Sequence, residues 1–221
     1  MTRIKLCGLS RPCDIEAANA LRPEYVGFVF APKSKRYVSP GKAVELKRML
    51  APGIRAVGVF VNEPPDHIAA LLHQGVIDLA QLHGGEDEAY VAHLRQRSAQ
   101  PIIRAFRIET AEDIERAEHS MADYVLLDSG GGSGTPFDWN LIQNIKKPYF
   151  LAGGLSPETV SGAVARLHPF AVDVSSGIET DGVKDSGKMA AFVAAVREGD
   201  KAWQIQTDAL EYTAGSISRR R

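Results

Sequence analysis

The stretch that decides the fold runs Arg55-Ala56-Val57-Gly58-Val59-Phe60-Val61-Asn62-Glu63-Pro64-Pro65-Asp66-His67-Ile68-Ala69-Ala70-Leu71-Leu72. Its first half, Ala56 to Val61, is an unbroken β-rich apolar run, which suits a strand covered by protein on both faces. Pro64-Pro65 then opens a segment in which Ile68, Leu71 and Leu72 recur at helical spacing. Proline is favoured there because the first helical turn has orphan amides, and proline brings none. A strand, a brief polar turn and a helix make one β–α unit. The same unit recurs along the chain, with apolar runs beginning near Arg3, Glu24, Arg55, Asp78, Pro101, Asp123, Pro148 and Phe170. The starts average about 24 residues apart, close to the shortest strand–helix cycle a parallel sheet can use.

Other helix starts agree with this division. Ser39-Pro40 precedes Val44, Leu46 and Leu50; Thr110 precedes Ile114; Ser156-Pro157-Glu158 precedes Val160, Val164 and Leu167. Each is a capping residue that satisfies an orphan amide of the first turn. Eight units in 221 residues predict an α/β protein with one closed (β/α)8 barrel over residues 1–199. An open doubly wound sheet has fewer strands and a phosphate fingerprint after the first, and Cys7-Gly8-Leu9-Ser10 is no such fingerprint. From Asp200 the pattern stops, so residues 200–221, ending Ser218-Arg219-Arg220-Arg221, are expected to form a peripheral or mobile tail.

Composition narrows the function. Apolar residues make up 44% and charged residues 24%, an ordinary globular balance. The 26 basic and 27 acidic residues nearly cancel, leaving no global field for a nucleic acid or an anionic membrane surface. The first residues lack a signal peptide's apolar core, and no run approaches the ~20 apolar residues of a membrane span. Two cysteines, Cys7 and Cys13, do not make a disulfide framework, so a reducing cytoplasm is expected. His67, His73, His83, His93, His119 and His168 show no ligand pairing, and no metal is expected.

In a barrel the reactive groups gather at the carboxyl ends of the strands. That rule yields Cys7, the loop bearing Lys33, Lys35 and Arg36, Asn62, Gln81 with His83, Arg104 or Arg107, Asp128, Gly153-Gly154, and Asp173 with Ser175-Ser176-Gly177. Gly153-Gly154 and Ser175 to Gly177 place small residues where helices begin, at strands seven and eight. Bare amides there suit a phosphate; tight βα turns needing glycine for backbone geometry are the structural alternative. Gly182 to Met189 nearly spells a nucleotide P-loop, but Met189 stands where a magnesium-holding hydroxyl belongs and no strand leads into Gly182. Gly130 to Gly134 reads as a flexible loop able to fold over substrate, or as a plain linker.

Cys7 and Asp128, a thiol and a carboxyl aimed at one mouth, suit proton transfer in two directions. The thiol acts as base only as thiolate, which needs cationic or dipolar support; Asp128 must instead retain a proton. A buried apolar cysteine and a loop-capping aspartate are the alternatives.

Beyond these residues, the chain resembles the phosphoribosylanthranilate isomerase family of tryptophan biosynthesis. The resemblance rests on Ile4 to Leu9, Gly27 to Phe30 with Arg36 to Ser39, Val57 to Asn62, Gln81 to Gly84, Leu127 to Ser129 with Phe137 to Trp139, Leu151 to Leu155, and Asp173 to Glu179. These occur in order, one per unit, whereas the tail has no counterpart. The resemblance implies a TIM barrel that catalyses an Amadori rearrangement of N-(5-phosphoribosyl)anthranilate without cofactor or metal. It implies Cys7 as general base, Asp128 as general acid, and Arg36 pairing with the anthranilate carboxylate. Gly154 and the Ser175 to Gly177 turn would hold the phosphate, with Gly153, Gln81, His83 and Asp173 around the substrate. The partner is then a small phosphorylated molecule, and the enzyme a monomer or homodimer. Indole-glycerol-phosphate synthase, a neighbouring barrel, would need a catalytic lysine and an N-terminal extension; a phosphate-binding protein on a non-catalytic barrel is a further alternative.

Overall fold

The computed structural model describes residues 1–128, 139–142 and 145–218, with side chains through residue 208. Eight parallel strands close into a barrel in chain order: β1 Arg3–Cys7, β2 Tyr25–Val29, β3 Arg55–Phe60, β4 Leu79–Leu82, β5 Ile102–Arg107, β6 Tyr124–Asp128, β7 Tyr149–Leu151 and β8 Ala171–Val174. Each begins at or one residue after its expected start. Closure comes from β1 pairing with β8, with Lys5 opposite Asp173. The helices are α1 Pro12–Leu21, α2 Pro40–Met49, α3 Pro65–His73, α4 Glu88–Arg95, α5 Ala111–Glu118, α6 Val160–Leu167 and α7 Ser186–Ser218. Ser39 caps α2 by accepting from the Lys42 amide, and Thr110 forms a capping box with Asp113 at α5.

Two details differ from expectation. Helix α6 starts at Val160, because Ser156 to Thr159 form a separate hydrogen-bonded turn first. Helix α7 runs past Gly199 without a break. Asp200, 8% exposed, accepts from the Thr2 amide and from Arg197, so it helps tie the start of β1 to the last helix. Trp203 stacks on His168 with ring centroids 3.7 Å apart. The Gly130 to Gly134 loop lies outside the described residues.

Strand residues alternate between two cores. Outward residues such as Ile4, Leu6, Phe28 and Leu127 pack under the helices. Inward residues Tyr25, Val57, Leu79, Ile103, Leu126, Phe150 and Ala171 fill the barrel. Tyr25, Tyr124, Phe150 and Phe170 pack together, with the guanidinium groups of Arg3 and Arg55 over the Phe170 and Tyr25 rings. Full burial of a side chain such as Phe150 contributes about 1.5–3 kcal/mol. The mouth at the other end is free to carry polar groups.

Candidate active site

Cys7, Val29 and Val59 form the inward cluster nearest the mouth. Gly27 faces Cys7 across the ladder, and a Cβ on Gly27 would lie 2.6 Å from the sulfur, so the bare glycine makes the thiol's berth. Lys5 shares Cys7's strand face by the two-residue period. Its ammonium is wholly buried and donates to both Asp173 oxygens at 2.9 Å. Burial alone would discharge Lys5, but Asp173 and Cys7 outweigh it and raise its pKa. Burial also pushes the Cys7 thiol up, reinforced by Asp173 and opposed by Lys5 and Lys184. The cations expected near the thiol are therefore present, and desolvation outweighs them.

Asp128 ends β6, and its carboxylate lies 3.7 Å from His83 Nε2. The Gln81 amide nitrogen is 3.0 Å from His83 Nδ1. With the amide nitrogen donating, Nδ1 accepts, and a neutral ring then carries its proton on Nε2, the nitrogen nearer Asp128. Gln81 is buried, and its Oε1 has no hydrogen-bond partner among the described residues.

The two small-residue turns meet. A Cβ on Gly177 would lie 2.0 Å from the Leu155 carbonyl oxygen, so the turn after β8 rests directly on the backbone after β7. Gly153 and Gly154 hold φ of 83° and 68°, a left-handed conformation that side chains disfavour. A 3-10 turn, Ser176–Ile178, follows Ser175. The result is a shallow rim of backbone at neighbouring strand ends, the part of this fold that commonly binds phosphate.

Arg36 leads to a group the sequence reading assigned no role. Its Nε and Nη2 donate to the two Glu179 oxygens at 2.6 and 2.8 Å. Lys184 Nζ donates to Glu179 at 2.7 Å and to the Ser175 carbonyl at 2.7 Å. Although burial works against its charge, these donors hold the Glu179 carboxyl down at about 2. Lys184 had its sequence signal spent on the false P-loop; it lies instead in a small hairpin, β9 Glu179–Thr180 and β10 Val183–Lys184. Lys5 was legible as an inward charge in an apolar strand, but its partner was not.

Three mouth candidates have partners of their own. Arg104 points outward and pairs with Glu88 of α4, because Ile103 takes the inward position of β5. Asn62, at φ 52°, accepts from the Gly85 amide and so ties the loop after β3 to the loop after β4. Arg107 pairs with Glu109 in an exposed contact.

The fold and site define a single-domain (β/α)8 enzyme barrel in which two small-residue turns meet at strands seven and eight and ionisable groups stand around one mouth. Comparison with known proteins narrows this class. Residues 4–195 match the sequence model of N-(5'phosphoribosyl)anthranilate (PRA) isomerase, and the chain belongs to this family. It is 43% identical over 202 residues to N-(5'-phosphoribosyl)anthranilate isomerase of Endomicrobium trichonymphae, covering 89% of this chain and 99% of the relative. The crystal structure of phosphoribosyl anthranilate isomerase from Thermotoga maritima superposes with a TM-score of 0.82 at 38% identity, covering 89% of this chain and 99% of that one. A structure of the isomerase in complex with reduced 1-(o-carboxyphenylamino)-1-deoxyribulose 5-phosphate matches with a TM-score of 0.80 at 36% identity, covering 89% and 99%.

Proposed function

We propose that Cys7 and Asp128 carry the proton transfers of the reaction this enzyme catalyses. That reaction is the Amadori rearrangement of N-(5'-phosphoribosyl)anthranilate to 1-(2-carboxyphenylamino)-1-deoxyribulose 5-phosphate, a step of tryptophan biosynthesis. Asp128 gives its proton to the ribose ring oxygen as the C1'–O bond breaks, and the nitrogen lone pair forms an iminium ion. Cys7 then takes the C2' proton, and the released electron pair makes the C1'–C2' double bond of an enolamine while neutralising nitrogen. Tautomerisation, with a proton added at C1' and one lost from the C2' hydroxyl, leaves the ketone. Atoms and electrons balance within one substrate.

The electrostatics supports this order of events. Burial holds the Cys7 thiol up, so a positive charge must arrive before the sulfur becomes a base. The iminium ion supplies it, beside the fixed cation of Lys5. Once Asp128 has lost its proton, the N–H of His83 faces the new carboxylate. Gly153, Gly154 and the amides of Ser175, Ser176 and Gly177 cradle the phosphate, Arg36 reads the anthranilate carboxylate, and Gln81 and His83 line the sugar. Asp173 serves by holding Lys5. The enzyme works in the cytoplasm, where the unpaired Cys7 and Cys13 stay reduced.

One observation carries the reading: inward strand-end positions on β1 and β6 bear a thiol and a carboxyl around the mouth on whose rim the Gly154 and Gly177 turns meet. The test is complementation of a tryptophan auxotroph lacking this isomerase, followed by a fluorescence assay of substrate consumption. Cys7→Ala and Asp128→Asn, made separately, are each expected to lose about 10²-fold or more in kcat. Full activity in either folded variant removes that residue from the mechanism.

A further inference from the structure

We propose that Glu179 is a positioning residue that holds Arg36 by one edge of its guanidinium and leaves the other edge for the substrate carboxylate. This rests on the functional reading above and adds to it how the carboxylate is recognised.

A guanidinium has two edges able to take a carboxylate in a fork, one made by Nε with Nη2 and one by Nη1 with Nη2. Glu179 takes the first, at 2.6 and 2.8 Å. Among the described residues, nothing pairs with Nη1. A second carboxylate therefore has no need to displace Glu179; it meets the end-on edge of an arginine already fixed in direction.

The surroundings fix that direction further. Gly8 follows Cys7, and a Cβ on it would lie 2.5 Å from Arg36 Cδ. The arginine stem thus crosses the chain one residue past Cys7, near enough for the thiol's charge to be felt at the guanidinium. On the far side, Lys184 joins Glu179 to the Ser175 carbonyl. One continuous chain of contacts runs from the turn that cradles phosphate, through Lys184 and Glu179, to the arginine that reads the carboxylate. The two anionic ends of the substrate are thereby held at a set separation by a single hairpin. Charge is also right: Arg36, Lys184 and Lys35, at 3.5 Å, surround one carboxylate, so the cluster keeps positive charge for an incoming anion.

The experiment compares kcat and KM for N-(5'-phosphoribosyl)anthranilate and for N-(5'-phosphoribosyl)aniline, which lacks the carboxylate. Wild type, Glu179→Gln and Glu179→Asp are assayed after circular dichroism confirms folding. In Glu179→Gln the KM for the carboxylated substrate rises about tenfold or more with kcat changed less than about threefold, and the preference over the aniline compound falls about tenfold. Glu179→Asp, which keeps the charge but shortens its reach, falls between. Parallel losses on both substrates, with the preference kept, would overturn the proposal by showing a merely structural role. Tighter binding of the carboxylated substrate in Glu179→Gln would overturn it too, since Glu179 would then be competing for the same edge. If Glu179→Gln does not fold, the preference ratio of Glu179→Asp decides by the same criteria. A wild-type chain inactive on N-(5'-phosphoribosyl)anthranilate would instead remove the functional reading itself.

Discussion

The Lys5→Met substitution leaves the Asp173 carboxylate inside the barrel without the ammonium that meets both its oxygens at 2.9 Å. The pair is 0% and 9% exposed, so solvent cannot take over. Removing one side of such a pair costs about 3–5 kcal/mol. With an unfolding entropy of about 2.1 cal/mol/K per residue over the 221 residues, that lowers Tm by about 6–11 °C. Lys5→Met combined with Asp173→Leu removes both charges and recovers most of the loss, because apolar residues of similar volume often match a buried ion pair. Calorimetry, with urea titrations, measures all three proteins. A single variant within about 1 kcal/mol of its parent, or a double variant no more stable than the single, refutes the reasoning.

Two other experiments test the mouth. Gly177→Ala drives a methyl group into the Leu155 carbonyl and separates the two turns; it costs about 1–3 kcal/mol in stability and weakens inhibition by inorganic phosphate about tenfold, whereas unchanged values for both would show the turns do not form one cup. In a Cys13→Ser background, iodoacetamide modifies Cys7 more slowly than free glutathione at pH 8, because burial raises the thiol and only the thiolate reacts. The rate climbs as pH passes above the ordinary thiol range, and adding Lys5→Met slows it again; a rate equal to glutathione at pH 8 contradicts the assigned environment.

How much of this was legible in the sequence follows from how each feature is encoded. Strand starts were readable to within one residue because barrel strands are covered on both faces and so appear as apolar runs such as Tyr25–Val29. The mouth residues Cys7, Asp128, Gly154 and Gly177 were readable because the fold rule points to strand ends. Of the two arginines offered at the end of β5, Arg104 or Arg107, the two-residue period already turns Arg104 to the face opposite Ile103. The run of helix through Gly199 was missed because the repeat of β–α units ends there while helix continues.

Local pattern determined the eight units, their order and the residues at their ends, since helix caps and two-sided burial act within a few positions of the chain. Closure decided the rest. Lys5 meets Asp173 from 168 residues away and Arg36 meets Glu179 from 143 away. Such pairings carry no local signature, because the energy that selects them is the desolvation of charge inside a barrel, and that cost exists only once the last strand has joined the first.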